Sequence, residues 1–157
     1  GNPIEHPMWN DVESETEVEV NGVDSDGNQL TRMSAIKFNV ANVQKTLASA
    51  SKVVAAGNRV VLSPEERFVE NIATQERMKL RIDKGGYVFD GKFAGGDVGT
   101  VALDSGAGVS VWPEHLKKDV KMEPKKNGLR MIAANGTEIE NMGQKTIQFQ
   151  GFTRQPL

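Results

Sequence analysis

Four consecutive residues, Asp104-Ser105-Gly106-Ala107, have the types and spacing that acid–base chemistry requires. They follow the apolar segment 100–103 and precede the segment 108–111, and both segments have the composition of short strands. A turn between two strands holds a carboxylate at a fixed point, and small residues after it leave room for a second backbone to approach. The motif occurs once, so one chain supplies one such carboxylate.

Two carboxylates that share one proton can activate a water molecule. Like charges about 3 Å apart cannot both ionise, so the two apparent pKa values of such a pair separate widely. The ionised acid takes a proton from the water, and the protonated acid donates to a carbonyl group. Gly106 would let two backbones meet across a twofold axis, and the Ser105 hydroxyl would bond to the opposite chain. The alternative is an unrelated β-barrel binding domain in which Asp104 is an ordinary turn residue.

The composition limits the other kinds of chemistry. The 157 residues suffice for one domain with a core, and the formal net charge of −2 argues against nucleic acid as the main partner. Cysteine is absent and only two histidines are present, so thiolate catalysis and Cys- or His-rich metal sites are not expected. No apolar run approaches the ~20 residues that cross a bilayer. We therefore expect no cofactor, no metal, no nucleic acid and no membrane partner.

The chain around the motif is predicted to consist mainly of short strands. Residues 33–40 alternate in polarity, with Ile36, Phe38 and Val40 on the buried face. A single helix is predicted over 43–56, where apolar residues recur at a period of about 3.6. Further strands are predicted around Val18 and at 59–62, 78–82, 87–89, 129–132 and 146–149. Many short strands with one helix are typical of an all-β or β-rich domain.

Three connecting regions complete this prediction. Residues 1–14 contain two prolines and several acids and are predicted to form an N-terminal arm. The segment 91–99 is rich in glycine and is predicted to be a flexible connection. Residues 129–140 are predicted to form a hairpin whose tip, 133–136, carries a glycine.

On these residues the chain resembles the retropepsins, the aspartic proteases of retroviruses and retrotransposons. The segment 100–107 matches the family's signature of apolar residues followed by Asp, Ser or Thr, Gly and Ala. The hairpin with its glycine tip is similar to the family's flap, which closes over the substrate. The segments 17–22, 35–40 and 45–54 resemble the strand pair and the helix that follow the flap in the family.

The order of these parts differs from that of the family, and circular permutation accounts for the difference. Residues 100–152 correspond to the first half of the usual order, 15–90 to the second half, and 91–99 would join them. Permutation is tolerated where the original termini lie close together. The chain is thus predicted to hold one domain, 15–157, with an acid-protease fold: a closed barrel-like half, one short α-helix, a flap hairpin and a permuted strand order.

The resemblance also implies a function. It implies an intracellular, cytoplasmic aspartic endopeptidase that is released from a polyprotein and acts as a homodimer, with one catalytic Asp104 from each chain. Ser105, Gly106 and Ala107 would support the active-site loop. An extended peptide or polyprotein would bind to the flap and to apolar subsites, formed by Ile132, Ala133, Ala134, Asn135, Gly136, Val109, Val111 and Leu47. The alternative is a non-catalytic dimerisation or peptide-binding module with the same fold.

Overall fold

The structure is a computed structural model that describes residues 10–11, 22–23 and 26–153. Strands make up 52% of the structure and helix 5%, which confirms the all-β class predicted from the sequence. In chain order the elements are β1 (Asn10–Asp11), β2 (Gln29–Ala41), β3 (Leu47–Ser49), α1 (Ala50–Ala55), β4 (Asn58–Leu62), β5 (Arg67–Asn71), β6 (Arg77–Lys79), β7 (Arg81–Asp83), β8 (Gly86–Phe93), β9 (Val98–Asp104), β10 (Val111–Pro113), β11 (Met131–Ile132), β12 (Glu138–Ile139) and β13 (Gly143–Thr153).

Six of these strands close into a barrel. Around the barrel the order is β2, β10, β3, β9, β8 and β13, and β13 pairs with β2 to complete the circle. The pairings β2–β10 and β3–β9 are parallel, and the other four are antiparallel. Closure removes the unpaired edges that an open sheet would expose.

The barrel interior is filled by side chains. The Trp112 ring lies 5.1 Å from the Phe38 ring and 5.6 Å from the Phe93 ring, measured between centroids. Further residues of the same core are Ile36, Ala48, Val53, Val69, Met78, Leu80, Phe89, Val101, Ile147 and Phe149. Tilted and edge-on aromatic contacts of this kind are favourable beyond the area that they bury. The barrel is therefore a packed core, which gives the loops at its ends a rigid base.

Strand β2 is longer and more buried than its sequence pattern indicates. Ile36, Phe38 and Val40 are buried as predicted. The opposite face, which alternation predicts to be polar and solvated, also contains buried residues, among them Ala35 and Asn39. The Asn39 side chain can be buried because Asn141 and Gln144 donate hydrogen bonds to its side-chain oxygen.

The predicted helix over 43–56 is shortened to the six residues of α1. Leu47–Ser49 forms strand β3 instead, because it pairs in parallel with residues 102–104 of β9. Ser49 caps the helix by accepting a hydrogen bond from the Lys52 backbone, and Gly57 follows its end with a positive φ of 99°. In the part of the chain that the structure describes, no helix has the length and apolar character needed to cross a membrane.

The glycine-rich segment 91–99, which was predicted to be a flexible connection, contains the turn of a hairpin. Residues 91–93 end β8 and residues 98–99 begin β9, which pairs with β8. The Phe93 N–H donates to the Asp97 carbonyl across the turn. Gly95 and Gly96 have φ values of 98° and 99°, a conformation that glycine adopts without steric cost. These glycines therefore serve a tight turn between two ordered strands.

The remaining strands differ from their predicted bounds. Strand β5 was not predicted, and it joins β4 and β6 in a separate three-stranded sheet. The predicted strand 78–82 is divided at Leu80 into β6 and β7, and 146–149 is the middle of the longer β13. The strand predicted around Val18 lies outside the described residues. Of the predicted arm, Asn10–Asp11 is described and pairs antiparallel with β2.

Candidate active site

Asp104 is the last residue of β9 and lies between two neighbouring strands. In the pairing of β9 with β3, Asp104 is opposite Ser49. In the pairing of β9 with β8, the preceding residue Leu103 is opposite Tyr87. Pairing on both sides fixes the backbone up to the carboxylate. The Asp104 side chain is half-buried, so the acid is held by the sheet while it remains accessible to solvent.

The turn after Asp104 is arranged around its carboxylate. Asp104 Oδ1 accepts a hydrogen bond from the Gly106 N–H at 2.8 Å. A Cβ atom at Gly106 would lie 3.4 Å from the same oxygen, so any side chain here would stand against the carboxylate. Ser105 and Gly106 are exposed, whereas Ala107 is half-buried. The predicted loop residues thus surround the acid and leave one side of it open.

Two buried serines tie this turn to the neighbouring strand, and the sequence analysis missed both. The Ser49 hydroxyl donates to the Ala107 carbonyl at 2.7 Å, and the Ser49 N–H donates to the Ser110 hydroxyl at 2.8 Å. Ser49 has no solvent exposure and Ser110 is 2% exposed. The partners are about sixty residues apart in the chain, a separation over which no local pattern gives a signal.

A polar network then anchors the end of the turn to β2. The Ser110 carbonyl accepts hydrogen bonds from the Asn39 backbone N–H at 2.8 Å and from Asn39 Nδ2 at 3.2 Å. Because these groups are buried, their hydrogen bonds are stronger than the same bonds in water. The Asp104 turn is therefore braced at Ala107 by β3 and at Ser110 by β2.

The hairpin predicted at 129–140 is present. Strands β11 and β12 pair antiparallel, and the Ala133 N–H donates to the Thr137 carbonyl at 2.8 Å. Gly136 has a φ of 86°, and Asn135 Oδ1 accepts a hydrogen bond from the Thr137 N–H. Ala134, Asn135 and Gly136 are exposed at the tip. The glycine therefore supplies the left-handed conformation that the turn requires.

The base of this hairpin packs on the segment that follows Asp104. Met131 is buried against Ala41 and Val111, and Val109, Ile139 and Val43 pack on the same cluster. Leu47 lies opposite Val111 in the pairing of β3 with β10. The hairpin base therefore packs on Val109 and Val111, and Val111 pairs with Leu47. The Asp104 turn leads directly into this segment of the chain.

Two of the predicted subsite residues have different surroundings from those expected. Val111 is 8% exposed and belongs to the cluster beneath the hairpin, so it does not line an open surface. Ile132, the neighbour of buried Met131, is 59% exposed. Alternation along β11 explains this pair, because successive side chains of a strand point to opposite faces.

The described residues around the site place no basic side chain in an ion pair with Asp104. Among residues 26–153, no Lys, Arg or His nitrogen lies within 4.0 Å of the Asp104 carboxylate as an ion pair. No group of three or more His, Cys, Asp or Glu residues within the described part of the chain is placed to hold a metal ion. The arrangement presents one accessible carboxylate on a braced turn, which can accept hydrogen bonds from water or from a bound ligand.

Comparisons with protein-family models, with curated proteins and with solved structures found no match to this chain.

Proposed function

We propose that this protein is an aspartic endopeptidase that acts as a homodimer, with one Asp104 from each chain. The observation that carries the proposal is the setting of Asp104. It is a half-buried acid at the end of a barrel strand, on a turn that Ser49 and Ser110 brace. A glycine-tipped hairpin packs on the residues that follow the same turn.

We propose that the barrel has an acid-protease fold with a permuted strand order. The segment 45–54, which resembles a part that follows the flap in retropepsins, precedes the Asp104 strand in the chain, but its residues Leu47–Ser49 pair with that strand in space. The hairpin turn at 91–99 would then be the junction between the two original halves, 15–90 and 100–152. Its residues 94–98 are exposed, and an exposed turn can accommodate a new connection without disturbing a core.

The proposed mechanism uses a water molecule between the two Asp104 carboxylates. One acid is ionised and takes a proton from the water, whose oxygen attacks the carbonyl carbon of the peptide bond. The other acid is protonated and donates to the carbonyl oxygen. The tetrahedral intermediate collapses when its C–N bond breaks and the nitrogen leaves with a proton from the dyad. Ser105 and Gly106 are exposed and so accessible to the second chain.

An extended peptide is the substrate that this surface would accept. In the described structure β11 and β12 form a two-stranded sheet, so their outer edges can pair with an added strand. Ile132 offers an exposed apolar side chain on the hairpin. Backbone pairing would supply general affinity, and apolar contacts near the hairpin would select the side chains of the peptide.

The decisive test is cleavage of a peptide library by wild type, Asp104→Asn and Asp104→Ala at mildly acidic pH, read by mass spectrometry. We expect both variants to lose at least about 10³-fold in rate, because each removes a group that transfers protons in every turnover. Asp83→Asn is the matched control, since Asp83 is an exposed acid on β7. Equal cleavage by wild type and the Asp104 variants would contradict the proposal.

Sedimentation velocity at the assay concentration tests the second half of the proposal. We expect a dimer, because one chain carries one Asp-Ser-Gly-Ala motif. An active monomer would contradict a shared pair of acids. A dimer that binds the library peptides without cleaving them would instead favour the non-catalytic peptide-binding module.

A further inference from the structure

A cleft of about 330 Å³ lies at one end of the barrel, where β2 ends and β13 begins. Its lining comes from these two strands, from Met142 just before β13 and from the segment 114–122, and it includes no residue of the Asp104 turn. Mouths of β-barrels are common sites for small ligands, and such sites range from about 300 to 1,000 Å³. Its place and its size are therefore those of a small-molecule site.

A buried lysine points into this end of the barrel. Lys145 is 4% exposed and lies on the same face of β13 as Ile147 and Phe149, which belong to the barrel core. Its Nζ donates to the Lys117 carbonyl at 3.0 Å. An ammonium group has three N–H donors, and within residues 26–153 Lys145 forms no ion pair with a carboxylate. A buried cation is costly unless an anion accompanies it, so this position favours an anionic ligand.

The segment 114–122, which lines the cleft, is held by hydrogen bonds to neighbouring parts of the chain. Trp112 Nε1 donates to the Leu116 carbonyl at 2.9 Å, and Lys117 Nζ donates to the Ala94 carbonyl at 2.7 Å. Lys117 Nζ also lies 3.0 Å from Asp97 Oδ2. The Lys117 backbone has a φ of 52°, which is unfavourable for a residue with a side chain.

The same cleft has an apolar wall made by two methionines. Met122 packs directly on Gly143, where a Cβ atom would lie 2.7 Å from Met122 Cγ. Met122 and Met142 are 46% and 37% exposed, and both line the cleft. Methionine side chains adapt to the shape of an apolar ligand because they are unbranched and polarisable.

We propose that this cleft binds a small monocarboxylate with a short, unbranched apolar chain. The carboxylate would accept hydrogen bonds from Lys145, and the chain would lie against Met122 and Met142. The charged residues of the lining are the lysines Lys118, Lys121 and Lys145 and the acids Glu114 and Asp119. Because the lysines outnumber the acids, the charge of the cleft favours an anion. The site is independent of the proposed peptidase activity.

Sodium hexanoate is the probe, with hexan-1-ol, hexylamine and inorganic phosphate as comparison ligands. Titrations of the full chain would be followed by calorimetry and by amide chemical shifts. We expect saturable binding of hexanoate with shifts concentrated at 114–122 and 142–145, weaker binding of hexan-1-ol, and none of hexylamine. Absence of saturable hexanoate binding would overturn the proposal, as would binding of phosphate with equal affinity, since the apolar wall would then have no role.

Lys145→Met tests the assignment of the anion site, because it removes the charge and keeps an apolar chain of similar length. We expect its Kd for hexanoate to rise by about tenfold, the loss of one charge-assisted hydrogen bond. Lys79→Met, at an exposed lysine on β6, is the control and should bind as wild type. Asp104→Asn should also bind as wild type, which separates this site from the peptidase proposal.

If circular dichroism shows that Lys145→Met is unfolded, Lys121→Gln is the variant that tests the anion site. Lys121 is exposed at the rim, so its loss should leave the fold intact and raise the Kd for hexanoate by about twofold to threefold. Unchanged affinity in Lys145→Met, or in Lys121→Gln where Lys145→Met is unfolded, would overturn the assignment.

Discussion

Two aspartates on neighbouring strands of the barrel, Asp90 on β8 and Asp104 on β9, have opposite surroundings. Asp90 is 6% exposed, and Arg81 donates to both of its oxygens at 2.9 and 3.0 Å. The Thr100 hydroxyl donates to Asp90 Oδ1 at 2.9 Å. Asp104 is half-buried, and its carboxylate accepts one hydrogen bond, from the Gly106 N–H of its own turn.

The difference separates a carboxylate that stabilises the fold from one that is available for chemistry. The hydrogen bond from Arg81 to Asp90 raises the pKa of the Arg81 guanidinium above its ordinary value, so the cation of this pair stays charged. Both oxygens of Asp90 are occupied, which leaves little capacity to bind a ligand. The Asp104 carboxylate is partly open to solvent, and the brace from Ser49 contacts the backbone carbonyl of Ala107 and not this carboxylate.

The largest effect on stability should come from replacing Asp90 by its amide. We expect Asp90→Asn to lower the free energy of unfolding by about 2 kcal/mol, because it leaves the Arg81 charge without its partner while Arg81, half exposed, keeps some hydration. Asp104→Asn should change it by less than about 0.5 kcal/mol. Urea unfolding followed by fluorescence measures the free energy of unfolding of both variants. Equal losses would contradict the different roles of Asp90 and Asp104.

A smaller effect should follow removal of the brace. Ser49→Ala deletes the hydrogen bond to Ala107 and the helix cap at Lys52, so we expect a loss of about 1 kcal/mol. We also expect slower peptide cleavage at unchanged dimer content, since the Asp104 turn would be held less firmly. Ser51→Ala is the control, because it leaves the bond from Ser49 to Ala107 in place. Wild-type cleavage by Ser49→Ala would show that the brace is only structural.

The smallest effect concerns a half-buried acid, Glu70, which lies between two arginines of the separate three-stranded sheet. Its oxygens lie 2.7 Å from Arg59 Nη2 and 2.9 Å from Arg77 Nε, and the hydrogen bond from Arg77 is the main cause that lowers the pKa of Glu70 below 4.5. A lowered pKa in the folded state contributes stability that is present above pH 4.5 and is lost as the pH falls below it.

Glu70→Gln should therefore reduce stability slightly near neutral pH, and the difference from wild type should shrink as the solution is acidified. Unfolding curves at several pH values measure this difference. Glu65→Gln, at an exposed glutamate in the turn before β5, is the control. A Glu70→Gln deficit that grows on acidification would contradict the assigned direction of the pKa shift.

Local patterns predicted those parts of the fold whose structure depends on nearby residues. The alternation at 33–40 predicted the buried face of β2, and the Gly136 turn predicted the hairpin, because strand faces and positive-φ turns are set within a few residues. Leu47–Ser49 was predicted as helix, since its apolar spacing suits one. Its pairing with β9 outweighed that local preference, as tertiary contacts often do.

The sequence by itself determined the β-rich class, the absence of cysteine chemistry, and the Asp104 turn with its small residues. Only the tertiary structure decided how that turn is held. Ser49 reaches Ala107 and Ser110 across about sixty residues of chain, and Lys145 meets Lys117 across 28. Such contacts arise because barrel closure brings strands together that are distant in sequence. A hydrogen bond between distant residues leaves no periodic trace in the chain, so no sequence pattern could have predicted it.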